Sequence, residues 1–359
     1  MTKPAQLHVV LGRFQPAHRS HVKLIESAMQ EADSTLVIIG SAHRAPDCKN
    51  PFTWEERQHM IGGCLPTAHN IVFRPLRDSR YDNDDWFRAT ELTVQRHAAT
   101  ISQGRDVDVT LFGVRKPNDD STWYLDRFPN WKHQRIPSTV FKPMDATKVR
   151  DLFFEDKDYW TRFVHAPVRN FLNSWIDTEL GRNLAGEHRY LMGEAKRARR
   201  YPYKLTFTTA DAVVFWRESI LLIRRKGELG RGLWALPGGF IDAEKETCYQ
   251  SAKREAQEET GIELRDEWCL TQRGGDVYDD PNRSLRGRTI THAYMFRIPD
   301  EIEVPAVHGG DDAGYACWYP LKDIPGLECR LFEDHIDIIR GLTRKTGIPQ
   351  PNWRPELGI

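Results

Sequence analysis

The chain lacks paired cysteines at the spacing that metal and redox motifs use. Its six cysteines (Cys48, Cys64, Cys248, Cys269, Cys317 and Cys329) are scattered over 359 residues without a CxxC pair. This argues against a zinc ribbon or a disulfide framework, and reduced thiols in the cytoplasm are expected. Net charge is also lacking, because 51 lysines and arginines balance 51 aspartates and glutamates. No global field then draws the chain to nucleic acid or membrane, and neither is an expected partner. No apolar run approaches membrane-spanning length, and the opening MTKPAQLHVVLGRF has too short an apolar stretch for a signal peptide. Internal repeats and low-complexity segments are missing too. What remains is an ordinary globular composition, 40% hydrophobic and 28% charged, on a chain long enough for two or three domains. Its oligomeric state, homo-oligomer included, is left open.

Apolar strands alternate with helical patterns over the first 154 residues. LHVVL at Leu7 to Leu11 ends in Gly12 and leads to a helical stretch from about His18 to Ala32; LVIIG and VTLFG follow as Leu36 to Gly40 and Val109 to Gly113. That pattern predicts an α/β unit on a parallel sheet. Residues 155–202 read as a charged helical connector ending in Lys196, Arg197, Arg199 and Arg200. From 203 to 359 the runs KLTFTTADAVVFW and SILLIRR precede helices at Thr247 to Glu259 and near Phe332 to Thr343. That mixture predicts an α+β unit, with an irregular proline-rich tail from Gly347 to Ile359.

The segment GRFQPAHRSH, Gly12 to His21, puts a glycine at a strand end and two histidines three residues apart at a helix start. His18 and His21 then share one face of the first turn, where unpaired N–H groups and the helix dipole favour phosphate. A His-x-x-His pair alone arises by chance. The ordered strand, glycine, arginine and proline around it make a polyphosphate site the better reading.

GRFQPAHRSH resembles the signature of the nucleotidyltransferase superfamily. Ile39 to Ile61, Pro75 to Trp86, Trp123 to Trp131 and DATKVRDLFF at Asp145 to Phe154 resemble archaeal-type nicotinamide-mononucleotide adenylyltransferases. The resemblance implies a Rossmann-like domain in which Gly12, Arg13, Phe14, His18 and His21 bind the phosphates of ATP. It implies that Thr147 and Arg150 clamp them from a second helix start. Trp86 would stack on the nicotinamide ring, flanked by Asn83 and Asp84. Two residues depart from the family pattern. Ser20 stands in place of glycine, where its small hydroxyl can cap the helix, and Asp145 stands where serine opens the second motif. A carboxylate there repels phosphate unless it holds magnesium or caps its own helix.

GGFIDAEKETCYQSAKREAQEETGI places Glu255, Glu258 and Glu259 at i, i+3 and i+4, so three carboxylates meet on one helical face. A solvated glutamate-rich face is common, but like charges this close destabilise a helix unless a cation neutralises them. Oxygen ligands without histidine or cysteine suit magnesium or manganese. Gly261 stands where a helix C-cap is needed.

The run is identified as a Nudix box, complete from Glu246 through Arg254 to Ile262, with six residues instead of five between Gly239 and Glu246. The resemblance implies metal ligation by Glu255, Glu258, Glu259 and the Gly239 carbonyl, with Arg254 orienting a glutamate. Arg283 to Phe296 and Gly309 to Leu321 resemble the ADP-ribose pyrophosphatases fused to such adenylyltransferases. Arg286 and Arg288 are candidates for phosphate or ribose contacts, and Asp311 and Asp312 for the base that activates water. The expected ligands are ATP, nicotinamide mononucleotide, NAD and ADP-ribose. Two rivals stay open. One is a Nudix-like sensor touching DNA through the basic run at 196–200; the other keeps both folds but changes the nucleotides.

Overall fold

A computed structural model describes residues 3–65, 70–115, 124, 126–137, 145–271, 274–346 and 348. Its first elements are β1 (Ala5–Gly12), α1 (Arg19–Met29), β2 (Ser34–Ala42), α2 (Trp54–Gly62), β3 (Ile71–Arg77), α3 (Asn83–Ser102), β4 (Val107–Arg115), β5 (Lys132–Pro137) and α4 (Ala146–Phe154). The five strands are all parallel in the order β3-β2-β1-β4-β5. Leu7, Val9, Leu36, Ile38 and Leu111 share one buried face with Val94 of α3. The residues between them, Val10, Val37 and Ile39, are buried toward the other face, as strand alternation requires. This is a Rossmann-like sheet. Its strand order reverses between β1 and β4, so a crevice opens at their carboxyl ends, where Gly12 lies.

Residues 158–163 form a 3-10 segment, followed by α5 (Ala166–Trp175) and α6 (Glu179–Ala198). The chain divides into two compact units, and the boundary falls inside α6, between Ala185 and Gly186. In the second unit come β6 (Thr206–Trp216), β7 (Ser219–Arg225), β8 (Trp234–Ala235), β9 (Gly238–Phe240), α7 (Cys248–Thr260), β10 (Asp276–Tyr278), β11 (Arg288–Ile298), β12 (Ala313–Pro320) and α8 (His335–Thr346). The sheet is mixed: β6 pairs parallel with β11 and antiparallel with β7 and β9. One face packs on α7 through Ala252 and Ala256, while the other packs on α8 through Ile336 and Ile339. This is the expected α+β arrangement of a Nudix fold. Trp123 and all of the tail except Ile348 lie outside the described residues.

The carboxyl ends of β1 and β2 are tied by Arg57, which is 1% exposed. Its Nη1 donates to the carbonyls of Arg13 (2.7 Å) and Gly40 (2.6 Å), its Nη2 to Ser41 (3.2 Å) and its Nε to Thr53 (3.0 Å). Burial pushes this guanidinium down to about 10, yet it stays charged at neutral pH. α2 is set in place by reciprocal capping, with Thr53 Oγ1 accepting from Glu56 N–H and Glu56 Oε2 from Thr53 N–H. Arg57→Met removes every donor while keeping much of the side-chain volume. It is expected to cost the first unit about 3 kcal/mol, since buried carbonyls lose a charged partner. Two-phase thermal unfolding, with only the first unit's midpoint lowered, is the result to look for.

Candidate active sites

The first site grows from a tight approach at the end of β1. A Cβ on Gly12 would stand 2.8 Å from the ring of Phe14, which is itself buried with φ +52°. Only glycine leaves room for that ring under the loop. Gln15 then locks the loop to the segment before α2: its Nε2 donates to Phe52 O (2.8 Å), and its Oε1 accepts from Phe52 N–H (3.1 Å). His18 is the N-cap residue of α1, and its backbone N–H donates to His21 Nδ1 at 3.3 Å. The two imidazoles stack with centroids 3.6 Å apart, so they do share one face. The expectation that Ser20 caps the helix is corrected: His18 holds that place, and Ser20 lies inside the first turn.

Arg150 connects the second motif to the first. It is 7% exposed, its Nη1 donates to the Gln15 carbonyl, and its Nη2 donates to Thr147 Oγ1 at 3.1 Å. Asp145 caps α4 by accepting from Thr147 N–H at 2.8 Å. A local helix cap, not a phosphate contact, thus occupies this carboxylate. Arg13 is exposed beside this pair. Burial and then the Arg13 charge push both Arg150 and Lys49 below their usual ranges, and Arg44 and Arg80 add to the effect on Lys49. Several cations converge here on a volume that an anion would stabilise.

Asn83 and Asp84 are exposed in the first turn of α3, and Trp86 is half-buried on the core. Its ring meets Tyr124 edge-on at 5.7 Å, and Tyr124 Oη donates to the carbonyl of Leu11 at 3.4 Å. Trp86 therefore lies one side chain away from the end of β1. Gln15, Lys49, Arg57 and Tyr124 fall within the stretches that carry the resemblance, but no spacing assigned them a role; Gln15, Arg57 and Tyr124 bond to residues distant in the chain.

The second site forms where β9 meets α7. A Cβ on Gly238 would stand 2.4 Å from Asp211 Oδ1, and one on Gly239 would stand 2.5 Å from Glu255 Oε1. Gly238 N–H donates to Glu259 Oε2 at 2.9 Å. Burial pushes Glu259 up to about 8 and raises Glu255, against the Gly238 N–H in the first case and the Arg254 guanidinium in the second. Glu258 is half exposed and turned to Arg254 Nη1 at 2.7 Å. Among the described residues, no three histidine, cysteine or acidic side chains stand as a ready-made metal group. Two buried acids beside a glycine cradle nevertheless match what a hard divalent cation would relieve.

Arg254 holds Glu246 through two hydrogen bonds, Nε to Oε2 at 2.9 Å and Nη2 to Oε1 at 2.8 Å. It also donates to the Phe240 carbonyl at 3.2 Å. It thus orients glutamates, as its sequence position implied. The extra residue is absorbed in a turn where Lys245 and Glu246 N–H both donate to the Asp242 carbonyl, and Glu246 still reaches Arg254. α7 ends at Gly261 with φ +78°. Gly310 presses on that end, its N–H donating to Glu259 O at 3.1 Å, which brings the charge of Asp311 to bear on Glu255.

A parallel sheet with cations gathered at its carboxyl end and a carboxylate-bearing Nudix fold define the class: a nucleotidyltransferase domain followed by a Nudix domain. A cytidylyltransferase-like family model matches residues 9–132, and a NUDIX domain model matches residues 206–342. The nicotinamide/nicotinic acid mononucleotide adenylyltransferase of Acinetobacter baylyi is 31% identical over 183 residues, covering 50% of this chain and 92% of its own length. The ADP-ribose pyrophosphatase of Methanocaldococcus jannaschii is 32% identical over 134 residues, covering 37% of this chain and 71% of its own. A crystal structure of a bifunctional NMN adenylyltransferase/ADP ribose pyrophosphatase from Francisella tularensis, complexed with AMP and a manganese ion, superposes with a TM-score of 0.84. It is 31% identical and covers 95% of this chain and 99% of that one. The chain belongs to this family of bifunctional enzymes.

The Glu246–Arg254 pair has a pH signature. Its hydrogen bonds to Arg254 hold Glu246 down to about 2, against an ordinary value of 4.5. A depressed carboxyl stabilises the fold above its ordinary value, and that contribution is lost as the pH falls through the folded value. Glu246→Gln should lower the second unit's thermal midpoint at neutral pH. Its difference from the parent should shrink steadily between pH 4.5 and 2. A difference that stays constant across that window would remove the ion pair from the account.

Proposed function

We propose that the chain joins nicotinamide mononucleotide to the adenylyl group of ATP, releasing NAD and pyrophosphate, and separately hydrolyses ADP-ribose to AMP and ribose 5-phosphate. The observation that carries this reading is the gathering of opposite kinds of like charge in its two sites. Cations converge where polyphosphate would lie, and carboxylates converge where a divalent metal would lie.

In the first reaction the mononucleotide phosphate attacks the α-phosphorus of ATP, and no enzyme nucleophile is needed. His18 and His21, with Arg13 and the N–H groups at the start of α1, stabilise charge on the departing pyrophosphate. Thr147 and Arg150 hold the phosphates from the start of α4. Gly12 and Phe14 keep the loop low enough for the backbone to approach. Trp86 stacks on the nicotinamide, with Asn83 and Asp84 at its edge. Catalysis is positioning plus electrostatics. His18→Ala should slow NAD formation by roughly a hundredfold or more, as loss of a transition-state donor does. Chromatographic assay of NAD checks this, and unchanged turnover would take His18 out of the mechanism.

For the second reaction, Glu255, Glu258, Glu259 and the Gly239 carbonyl would hold magnesium or manganese. When bound, that metal supplies a Lewis acid for the diphosphate and lowers the pKa of water. Arg254 keeps the glutamates in place, and Asp311 is the candidate to take the proton from the attacking water. Glu259→Gln preserves shape and removes charge. It should depress AMP release by roughly a hundredfold or more, while NAD synthesis by the same protein continues. The engagement of Glu258 with Arg254 favours one other reading, a domain that binds ADP-ribose without cleaving it. Tight binding with no AMP produced by the parent protein would establish that reading instead.

A further inference from the structure

Leu236 stands between β8 and the turn that carries Gly238 and Gly239. It is 1% exposed, so its backbone N–H must find an acceptor inside the protein. That acceptor is a side chain remote in sequence, His335 Nδ1, at 2.9 Å. His335 is itself buried, and an Nδ1 that accepts leaves the ring proton on Nε2, which faces Asp211 Oδ1 at 4.0 Å. Burial pushes the pKa of the ring down, so it is neutral at physiological pH and keeps its acceptor. Asp211 meets the same turn from β6. Its Oδ2 accepts from Thr291 Oγ1 at 2.5 Å, and a Cβ on Gly238 would stand 2.4 Å from its Oδ1. Beside it, Ala212 N–H donates to the Pro237 carbonyl at 2.8 Å.

The position of His335 is fixed in turn. Its neighbour Asp334 takes Arg283 in two hydrogen bonds of 2.8 and 3.0 Å, with both side chains buried. Such a pair specifies one geometry, since either charge left alone there is strongly unfavourable. The Asp334 carbonyl also accepts from Asp337 and Ile338 N–H at the start of α8. Phe332 N–H donates to Trp234 O at 2.8 Å, and Leu331 bridges to Trp234 in parallel. Residues 331–335 thus lie along residues 234–236 as a strand would, and the imidazole continues the ladder where the backbone turns into α8. An apolar side chain of equal size would leave Leu236 N–H unsatisfied, so the site uses the ring nitrogen and not its bulk. From Leu236 the chain runs through the stiff Pro237 to Gly238 and Gly239, which pair with Asp211 and Ala210. A displacement at Leu236 is therefore passed to the two glycines that touch Glu259 and Glu255.

We propose that His335 is a positioning residue for metal binding in the second unit. Its bond to Leu236 N–H, backed by Asp211 and anchored through Asp334 to Arg283, sets where the Gly239 carbonyl lies relative to Glu255 and Glu259. This role rests on the metal-dependent hydrolase reading, and it places one requirement of that site at the start of α8, outside the carboxylate helix.

The test compares full-length His335→Asn, His335→Gln and Tyr278→Phe proteins with the parent. Asparagine can set its Oδ1 where Nδ1 stands, whereas glutamine carries its amide to the place of Nε2. Tyr278 donates to the Ile338 carbonyl of α8 at 3.3 Å, so its loss loosens the seat of α8 and keeps the imidazole. Manganese binding, followed by the ion's paramagnetic resonance signal and by calorimetry, should weaken roughly 10- to 100-fold in His335→Gln. His335→Asn should recover most of that loss. Tyr278→Phe should bind manganese as the parent does, even where its thermal midpoint falls. In ADP-ribose hydrolysis the same order should appear in the manganese concentration for half-maximal turnover, with KM for ADP-ribose at saturating metal unchanged. NAD synthesis should hold in all three. Parent-like manganese affinity in His335→Gln, or an equal loss in His335→Asn or Tyr278→Phe, would overturn the role. Should neither His335 protein fold, hydrogen exchange of the parent decides. A Leu236 amide whose protection rises with manganese supports the role; one that exchanges freely, or that manganese leaves unchanged, overturns it. If the parent binds manganese without cleaving ADP-ribose, the hydrolase reading fails and the affinities alone test His335. A parent that binds no manganese overturns both.

Discussion

Crowding of like charge is the constraint on which both units depend. The first draws Arg13, Lys49 and Arg150 toward one loop; the second draws Glu255 and Glu259 into a nearly dry corner. Such groups repel one another and resist burial, so each cluster persists only where a stiff frame prevents its escape. In the first unit the frame is Arg57, a buried cation that binds carbonyls and so stitches β1 to β2. In the second it is Arg254, whose fork binds Glu246 in two hydrogen bonds and leaves one nitrogen for Glu258. Each frame is thus a guanidinium that touches the site without standing at its reacting centre.

Close backbone approach is the second device common to both units. Gly12 admits the Phe14 ring, Gly238 admits Asp211, and Gly239 admits Glu255. A methyl group at any of these positions would occupy the space of the functional side chain itself. The helices contribute differently. α1 and α4 begin beside the clustered cations of the first unit, whereas α7 carries a face of carboxylates and ends at a left-handed glycine on which the Gly310 loop rests. The same element type therefore meets opposite electrostatics at its end and along its side.

Much of this was legible along the chain, for identifiable reasons. His18 and His21 are three residues apart, and Glu255, Glu258 and Glu259 lie within one helical turn, so helical geometry alone brings each group together. Strands β1, β2 and β4 carry mostly apolar stretches at Leu7 to Leu11, Leu36 to Gly40 and Val109 to Gly113. By contrast, β3 and β5 carry Arg74, Pro75, Lys132, His133 and Arg135, and pairing with β2 and β4, not their own pattern, makes them strands. The first unit's helical content also extends to Ala185 inside α6, a boundary that charge patterning did not mark.

The sequence by itself determined which local groups meet, because spacings of three and four residues bring His18 to His21 and gather Glu255, Glu258 and Glu259 within one turn of α7. Only the tertiary structure decided what holds those groups in place. Arg57 reaches Arg13 across 44 residues, His335 reaches Leu236 across 99, and Arg150 reaches Gln15 across 135. No local periodicity encodes such distances. They follow from sheet order and helix packing, which bring remote segments within hydrogen-bond reach only after the cores have formed.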